Sequence, residues 1–507
     1  MYPLVVDGLS VTGTIEKAQE IINDDHLSDS DSAVVKDLIL VADIMKDRLS
    51  KNSKNSSQPP SQDDLKDKND QKKPKPNNSR KPGGQKGRTG SQLKPIENPD
   101  EIVNLPVDIS QLPAGDYAHI GYESRQIIDL KISRHVIEYR AKIVSNGSGD
   151  EYRANFPREA KRPVQYGAYL KAYAIYISQF QLIPYDRVTQ QINDTANIRL
   201  STGSVYNFIN EAHQLLQPFK SWLIESQSNA MVLNADETGI NVGGKNHWLH
   251  SLSNSQSTYF HADQKRGSSA MDAMEVLPQF TGVLCHDHWK PYYQYKCVHA
   301  LCNAHHLREL TRAYEQDGQL WAKEVYDLLL EMNKAAKASD TGTLSKTEIE
   351  TYEKRYLELL ESGKQECPEI QVSKGNAKKG RVKRTRARNL LNRLIKYAQD
   401  TLRFAKESEV PFTNNDAERE IRMTKVHQKI SGCFRSMKGA EMFCLIRSYL
   451  MTCRKHGIKA MDALIMLFNG KLLEFMNCYL SPLWSHFVVT LMAPLDCRHN
   501  GATSFAP

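Results

Sequence analysis

The stretch that most constrains this fold is Val232–Gly239, an apolar run rich in β-forming residues that delivers Asp236 at its predicted end. A glycine-bearing turn at 243–244 follows the run. Further apolar segments then lead to a second aspartate, Asp287. The predicted elements after the turn are strands over 247–252 and 257–261, a helix over 268–279 and a strand starting at 282.

This order of elements predicts a fold class. Three strands, a helix and a fourth strand, with acids at the ends of the first and fourth strands, is the order of the RNase H-like fold. We therefore expect an α+β multidomain protein with an RNase H-like α/β core built on a mixed sheet. The remaining chain has to supply a third acid and a means of contacting nucleic acid.

Composition limits the class of protein. At 507 residues the chain is long enough for several domains. Its nine cysteines are an odd number and none precedes Cys285, which argues against a secreted disulfide framework and for a reducing compartment. We expect a cytoplasmic protein without a signal peptide or a membrane-spanning segment. The formal charge of +8 is modest, so its distribution matters more than its sum.

The N-terminal 50 residues contain one amphipathic helix. Its apolar residues recur at spacings of three and four, which gives a seam of about two heptads. Two readings stay open: packing on the body of the protein, or self-association as a coiled coil. The seam consists of Val34, Leu38, Val41, Met45 and Leu49.

Residues 51–100 form a basic arm. Lys51 to Glu97 contains 12 basic and 5 acidic side chains, a net charge of +7, among many Pro, Gly, Ser and Asn residues. Such a segment cannot bury a core, so we expect disorder. It would serve either as a solvated linker or as an arm that follows DNA phosphates.

Two modules are predicted next. Residues 101–160 alternate apolar and polar side chains and predict a small β-rich module. Residues 161–225 turn helical, with two helices near 184–192 and 202–215 and a capping Ser201 or Thr202. This pair resembles a helix-turn-helix, whose second helix would enter a major groove, although an ordinary helical hairpin has the same pattern.

A helical region at about 310–405 carries a second basic run. Its helical periodicity is clearest at Trp321, Val325, Leu328, Leu329 and Met332. The run from Lys374 to Arg388 contains 8 basic residues and no acid, which fits a polyanionic partner better than a small neutral substrate. The residues predicted to contact DNA are Lys374, Lys378, Lys379, Arg381, Lys383 and Arg384, with Arg422 and Lys425 further on.

The third acid is Glu418. Asn414 or Asn415 can cap a helix that carries Glu418 in its first turn, and Arg422 and Lys425 follow on the same face. A surface helix with a Glu–Arg pair is the structural alternative. The functional hypothesis is that Asp236, Asp287 and Glu418 together bind two Mg²⁺ or Mn²⁺ ions for phosphodiester chemistry. Without metal, these carboxylates should repel one another.

Several ordered motifs together resemble those of insertion sequence 66 family transposases, over nearly the whole chain. They are Asp236-Glu-Thr-Gly, His247-Trp-Leu-His, His286-Asp-His-Trp-Lys-Pro-Tyr292, His299-Ala-Leu-Cys-Asn-Ala-His-His-Leu-Arg-Glu-Leu310, Asn414-Asn-Asp-Ala-Glu-Arg419, Lys54-Asn-Ser-Ser, Ile446-Arg-Ser-Tyr-Leu450 and Cys453-Arg-Lys-His-Gly457.

This resemblance implies a prokaryotic DDE transposase. The family cleaves DNA at the ends of the element in a metal-dependent reaction and joins the freed 3′-hydroxyl to target DNA. Asp236, Asp287 and Glu418 match its triad, with a helical insertion between the second and third acids. The neighbouring acids Glu237, Asp416 and Glu420 are the alternatives. The implied domains are a catalytic one at 226–460 and a helical tail at 461–507.

The resemblance also bears on partners and alternatives. Double-stranded DNA, a homodimer or higher oligomer, small accessory proteins of the element and association with the nucleoid are expected. An endonuclease without strand transfer and a non-catalytic DNA-binding derivative are the alternative functions.

Zinc is not expected. Family members often carry a cysteine-rich zinc module before the helix-turn-helix, but this chain has no cysteine there. A second cluster, His299, Cys302 and His305, offers zinc-type ligands without a standard spacing. We expect these side chains to pack and to orient the Asp287 region by hydrogen bonds, with zinc as the minority hypothesis.

Overall fold

The structure is a computed structural model that describes residues 93–108, 111–369 and 384–471 continuously. It also describes a few isolated positions, which are residues 5, 6, 9, 10, 18, 28, 34–39, 41, 42, 45, 51, 55 and 476.

Two small antiparallel hairpins precede the main sheet. Strand β1 (Val5–Val6) pairs with β2 (Leu9–Ser10), and β3 (Ile143–Ser145) pairs with β4 (Glu151–Arg153). The β-rich module predicted over 101–160 is therefore wrong in extent. Alternation alone does not make a sheet, because this region packs against little and its apolar side chains, such as Ile120, stay exposed.

The main sheet has five strands in the order β7-β6-β5-β8-β9. Strands β5, β6 and β7 pair antiparallel, whereas β5, β8 and β9 pair parallel, so the predicted mixed sheet is confirmed. The strands are β5 (Val232–Val242), β6 (Lys245–Ser253), β7 (Thr258–Asp263), β8 (Val283–His286) and β9 (Val298–Leu301).

Strand β5 is longer than predicted. We expected it to end at Asp236, but it continues to Val242, since β6 pairs with it as far as Val242 opposite Lys245. The predicted turn is confirmed: Gly243 and Gly244 have φ values of 57° and 81°, which a tight hairpin turn requires and glycine adopts without strain. Asp236 therefore lies in the middle of a paired strand.

Helices pack on one face of this sheet. Their core includes Leu233 and Ala235 of β5 and Leu284 of β8. The predicted helix Thr202–Leu215 is confirmed and Ser201 caps it, accepting from Ser204 N at 3.0 Å. These helices are α1 (Ala168–Ile175, continued by a π-helix at Tyr176–Phe180), α2 (Tyr185–Ala196), α3 (Thr202–Leu215) and α4 (Gln217–Ser228).

The helix predicted over 268–279 is interrupted. It forms α5 (Ser268–Asp272) and, separately, a 3₁₀ turn at Leu277–Gln279. The backbone of Glu275 has φ 62°, a left-handed conformation that a continuous right-handed helix cannot contain.

A helical region follows β9 and covers part of the opposite face. Trp321, Val325, Leu328, Leu329 and Met332 are all buried there, as their spacing predicted. Val283 and Cys285 of β8 contribute to the same core. The helices are α6 (Asn303–Asp317), α7 (Leu320–Ala338), α8 (Lys346–Glu366), α9 (Arg386–Lys396) and α10 (Ala398–Leu402).

Three further helices complete the described chain. Helix α11 (Asn415–Ser431) packs on β5 and β6, where its Ile421 joins Ile240 of β5 in a third core. Helix α12 (Met437–Lys455) packs on β7, and α13 (Ala460–Phe468) packs on α1. The sheet thus carries α1–α4 on one face and α11 with the α6–α10 region on the other.

Within the part of the chain that the structure describes, no helix combines the length and the apolar character needed to cross a bilayer.

Candidate active site

Two aspartates meet on neighbouring parallel strands. The last paired residues of β5 and β8 are Asn234 and Cys285. Asp236 and Asp287 each follow by two residues, so both side chains point to the same face at the same level. Neighbouring strands lie about 4.8 Å apart, which brings the two acids together. This is the face that carries α11.

One oxygen of each aspartate is held by the backbone. Asp236 Oδ1 accepts from Glu237 N at 2.9 Å, and Asp287 Oδ1 accepts from Trp289 N at 3.0 Å. The residue after Asp287, His288, has φ 73°. The chain therefore turns sharply after β8, and the turn fixes the Asp287 carboxylate.

Asn414 bonds α11, the helix that carries Glu418, to β5, the strand that carries Asp236. Its side chain does not cap α11 as predicted. Instead Asn414 Nδ2 donates to Ala235 O at 2.7 Å, and its backbone N donates to Cys302 Sγ at 3.1 Å. Since Ala235 precedes Asp236, the first turn of α11 starts beside the two aspartates and brings Glu418 to them.

Glu418 is surrounded by basic side chains. Its Oε1 lies 3.7 Å from His305 Nδ1 and 3.9 Å from Arg308 Nη2. Its Oε2 lies 3.6 Å from Arg422 Nη2. Only 15% of the Glu418 side chain is exposed, whereas Arg422 is 69% exposed. The predicted Glu–Arg pair exists, but its glutamate faces the interior of the site.

The three acids interact electrostatically. Burial raises the pKa of Asp236 well above its usual value, and the negative charges of Glu237, Asp287 and Glu418 raise it further. A cluster of carboxylates that repel one another on a partly buried face is stabilised by a bound cation. Carboxylate oxygens are the donors that Mg²⁺ and Mn²⁺ prefer, so Asp236, Asp287 and Glu418 fit such ions.

The neighbouring acids have other partners. Glu237 Oε1 accepts from Arg266 Nη2 at 2.6 Å, and its Oε2 accepts from Tyr292 Oη at 2.7 Å. Glu420 is buried between Thr258 and Lys455.

Asp416 is 70% exposed and pairs with Arg419. Like Glu237 and Glu420, it is therefore held by groups of the protein itself, so these three acids are poorer candidates for binding metal.

Two of the residues predicted to contact DNA are already engaged. Lys425 Nζ donates to Gly239 O at 2.5 Å, and burial lowers the pKa of this amine. Arg384 pairs with Glu369 at 3.0 Å. Arg422 presents most of its surface to solvent. Lys374, Lys378, Lys379, Arg381 and Lys383 lie outside the described residues.

The predicted cluster of His299, Cys302 and His305 divides into two. His299 Nδ1 lies 3.1 Å from Nε2 of His286, the residue that precedes Asp287. Cys302 and His305 instead face Glu418. The sequence reasoning missed Asn414 as an anchor and Arg308 as a partner of Glu418. The Asn-Asn pair just before the acidic turn is the one signal for the anchor.

One family model covers the part of the chain that contains the main sheet. The model of the family described as Transposase IS66 family matches residues 163–442, which include all three acids and the whole sheet. A family of unknown function, DUF6444, matches residues 33–94. A comparison with curated proteins found no match. The match over 163–442 spans more than half of the chain. The protein therefore belongs to the IS66 transposase family.

Proposed function

We propose that this protein is a DDE transposase whose residues Asp236, Asp287 and Glu418 bind divalent ions, cleave DNA at the ends of an insertion sequence and transfer the freed strands. One observation carries the proposal: Asp236 in β5 and Asp287 just after β8 each follow the last paired residues of these adjacent parallel strands by two, and Asn414 bonds the helix of Glu418 to the residue before Asp236. The strand order β7-β6-β5-β8-β9 also supports an RNase H-like core.

The residues of the site have distinct tasks. Divalent ions held there would activate the attacking oxygen and stabilise the leaving one. The backbone bonds to Oδ1 of Asp236 and of Asp287 orient both carboxylates before any metal arrives. Arg308 and Arg422 contact the two oxygens of the Glu418 carboxylate and hold it in place. Arg422, being mostly exposed, is also the residue best placed to contact a DNA phosphate.

Sequence-specific binding is assigned to α2 and α3. The first two turns of α3 expose Thr202, Tyr206 and Asn207, which can contact base edges. These turns contain no Lys or Arg, so affinity would come mainly from the basic segments at 51–100 and 374–388.

An oligomer is part of the proposal, because two ends of the element are cut together. Val34, Leu38, Val41 and Met45 lie on helical backbone and are 47–61% exposed. This apolar seam supports self-association over packing on the body of the same chain.

The experiment uses DNA that carries the sequences flanking this gene, incubated with Mg²⁺. We expect Asp236→Asn to lower cleavage about 100- to 1000-fold while DNA binding stays unchanged. Asp416→Asn, in an exposed acid near the same site, is the matched control. Pre-cleaved ends then separate a transposase, which joins them to target DNA, from a nuclease, which does not. Cleavage that persists in Asp236→Asn refutes the assignment.

A further inference from the structure

A second set of ligand atoms surrounds Glu418. Cys302 Sγ lies 4.0 Å and His305 Nδ1 lies 3.7 Å from Glu418 Oε1. The three ligand atoms all lie within 4.8 Å of one another. Metal–ligand bonds of about 2.0–2.3 Å at a tetrahedral zinc ion place neighbouring ligand atoms about 3.3–3.6 Å apart. A contraction of roughly 1.3 Å or less would bring these atoms around a single ion.

The backbone around Cys302 is arranged to support a thiolate. Asn414 N donates to Cys302 Sγ at 3.1 Å, from the start of α11. Amide donors directed at a buried sulfur stabilise its ionised form once a cation replaces the proton.

We propose that Cys302, His305 and Glu418 bind a thiophilic transition-metal ion such as Zn²⁺, and that this ion withdraws Glu418 from the proposed Mg²⁺ centre. Binding would release the thiol proton to solvent, and the ion would then be held by a thiolate, a neutral imidazole and a carboxylate. Mg²⁺ prefers oxygen ligands, so the two sites would select different metals and share one acid.

The site should bind zinc more weakly than a structural zinc site. It offers three protein ligands and leaves a fourth position open. Arg308 lies 3.9 Å from Glu418 Oε1 and Arg422 lies 3.6 Å from Oε2, and an incoming cation must displace the Arg308 charge from Oε1. We therefore expect reversible binding that responds to the available zinc. Inhibition by this ion rests on the proposed function, whereas the binding itself does not.

Cobalt tests the binding without any need for activity. Full-length metal-free protein is titrated with Co²⁺, which replaces Zn²⁺ and gives a near-ultraviolet charge-transfer band when a thiolate is bound. We expect one equivalent to give this band in the wild type and in Cys433→Ser, which removes an exposed thiol. The band should be absent in Cys302→Ser. Zn²⁺ should abolish it, whereas Mg²⁺, which competes only for Glu418, should raise the Co²⁺ concentration needed for half-saturation without removing the band.

Two results overturn the site: no band in the wild type, or a band that survives in Cys302→Ser. Should Cys302→Ser fail to fold by circular dichroism, His305→Asn decides the question. We expect this variant to need at least about tenfold more Co²⁺ for half-saturation. An unchanged cobalt affinity in His305→Asn contradicts the proposal.

The inhibitory role is tested separately. Zn²⁺ should suppress Mg²⁺-dependent cleavage by the wild type, and Cys302→Ser should need at least about tenfold more Zn²⁺ for the same effect. Equal inhibition of both proteins refutes the regulatory claim and leaves the cobalt result standing. Absence of cleavage under all conditions, with the cobalt band present, refutes the proposed function instead.

Discussion

Asp236 and Glu237 are adjacent acids on β5 that point to opposite faces of the sheet, and their surroundings differ. Glu237, whose side chain is 1% exposed, receives hydrogen bonds from Arg266 and Tyr292. The Arg266 guanidinium lies between the rings of Trp248 and Trp289, 4.8 and 4.4 Å from their centroids.

Asp236 has the opposite situation. Burial raises its pKa, the charges of Glu237, Asp287 and Glu418 raise it further, and its Oδ1 accepts a hydrogen bond from the backbone N of Glu237. Burial and the Asp287 charge raise the pKa of Glu237 as well, but Tyr292 and Arg266 oppose that shift. Among the described residues, no cationic side chain acts against the pKa shift of Asp236. A buried charge that the fold itself does not compensate indicates a binding site, whereas a compensated one indicates structure.

The largest expected effect is on DNA cleavage, and it should distinguish Glu418 from Asp416, two acids of the same helix. Glu418→Gln should lower Mg²⁺-dependent cleavage about 100- to 1000-fold, because the amide keeps the shape but loses the charge that holds metal. Asp416→Asn, whose acid is exposed, should stay within about twofold of wild type. Cleavage rates measured on terminal DNA decide this, and equal losses in both variants would contradict the difference between them.

Removing the compensated acid should cost stability. Glu237→Ala leaves the Tyr292 hydroxyl and one side of Arg266 without their partner. We expect a loss of about 2–3 kcal/mol in the free energy of unfolding, measured by urea denaturation. A loss below about 0.5 kcal/mol would mean that the bonds from Arg266 and Tyr292 to Glu237 contribute little to stability.

Neutralising Asp236, the uncompensated acid, should instead raise the stability of the metal-free protein. Asp236→Asn relieves repulsion among the acids, so the metal-free protein should melt about 2–4 °C higher than wild type. The same variant should lose most of the Mg²⁺-dependent increase in Tm that the wild type shows. A lower Tm in the absence of metal would show that Asp236 is structural.

The smallest effect tests the sandwiched guanidinium. Arg266→Lys keeps the charge but loses the planar stacking between Trp248 and Trp289, so we expect a loss of about 1 kcal/mol in urea denaturation. Arg419→Lys, at an exposed pair, is the control and should change stability by less than about 0.5 kcal/mol. Equal losses of stability in Arg266→Lys and Arg419→Lys would mean that the stacking of Arg266 on the two tryptophans does not stabilise the protein.

The sequence predicted the parts that rest on local patterns. The β-runs, the Gly243–Gly244 turn and the helix Thr202–Leu215 follow from alternation, glycine conformation and capping. The sequence predicted a mixed sheet with acids at the ends of two apolar strands, whereas the parallel pairing of these two strands comes from the structure.

Tertiary contacts explain what the sequence did not predict. The sequence predicted Asn414 as a helix cap. Its side-chain amide instead donates to the carbonyl of Ala235, 179 residues away in sequence. Likewise, nothing local distinguishes Glu237 from Asp236, because the difference lies in Arg266 and Tyr292. In residues 101–160 the local pattern was present without the tertiary contacts. The alternating side chains predicted strands, but the apolar ones stay exposed because they have no surface to pack on.

The convergence of three acids on divalent ions can be measured directly with Fe²⁺ as a probe. Fe²⁺ bound in place of Mg²⁺ generates hydroxyl radicals with ascorbate and peroxide, which cut the polypeptide close to the ion. In a Cys302→Ser background, we predict cuts near Asp236, Asp287 and Glu418 that disappear with added Mg²⁺ and in Asp236→Asn. Cuts confined to one of these segments, or unchanged in Asp236→Asn, would contradict the account.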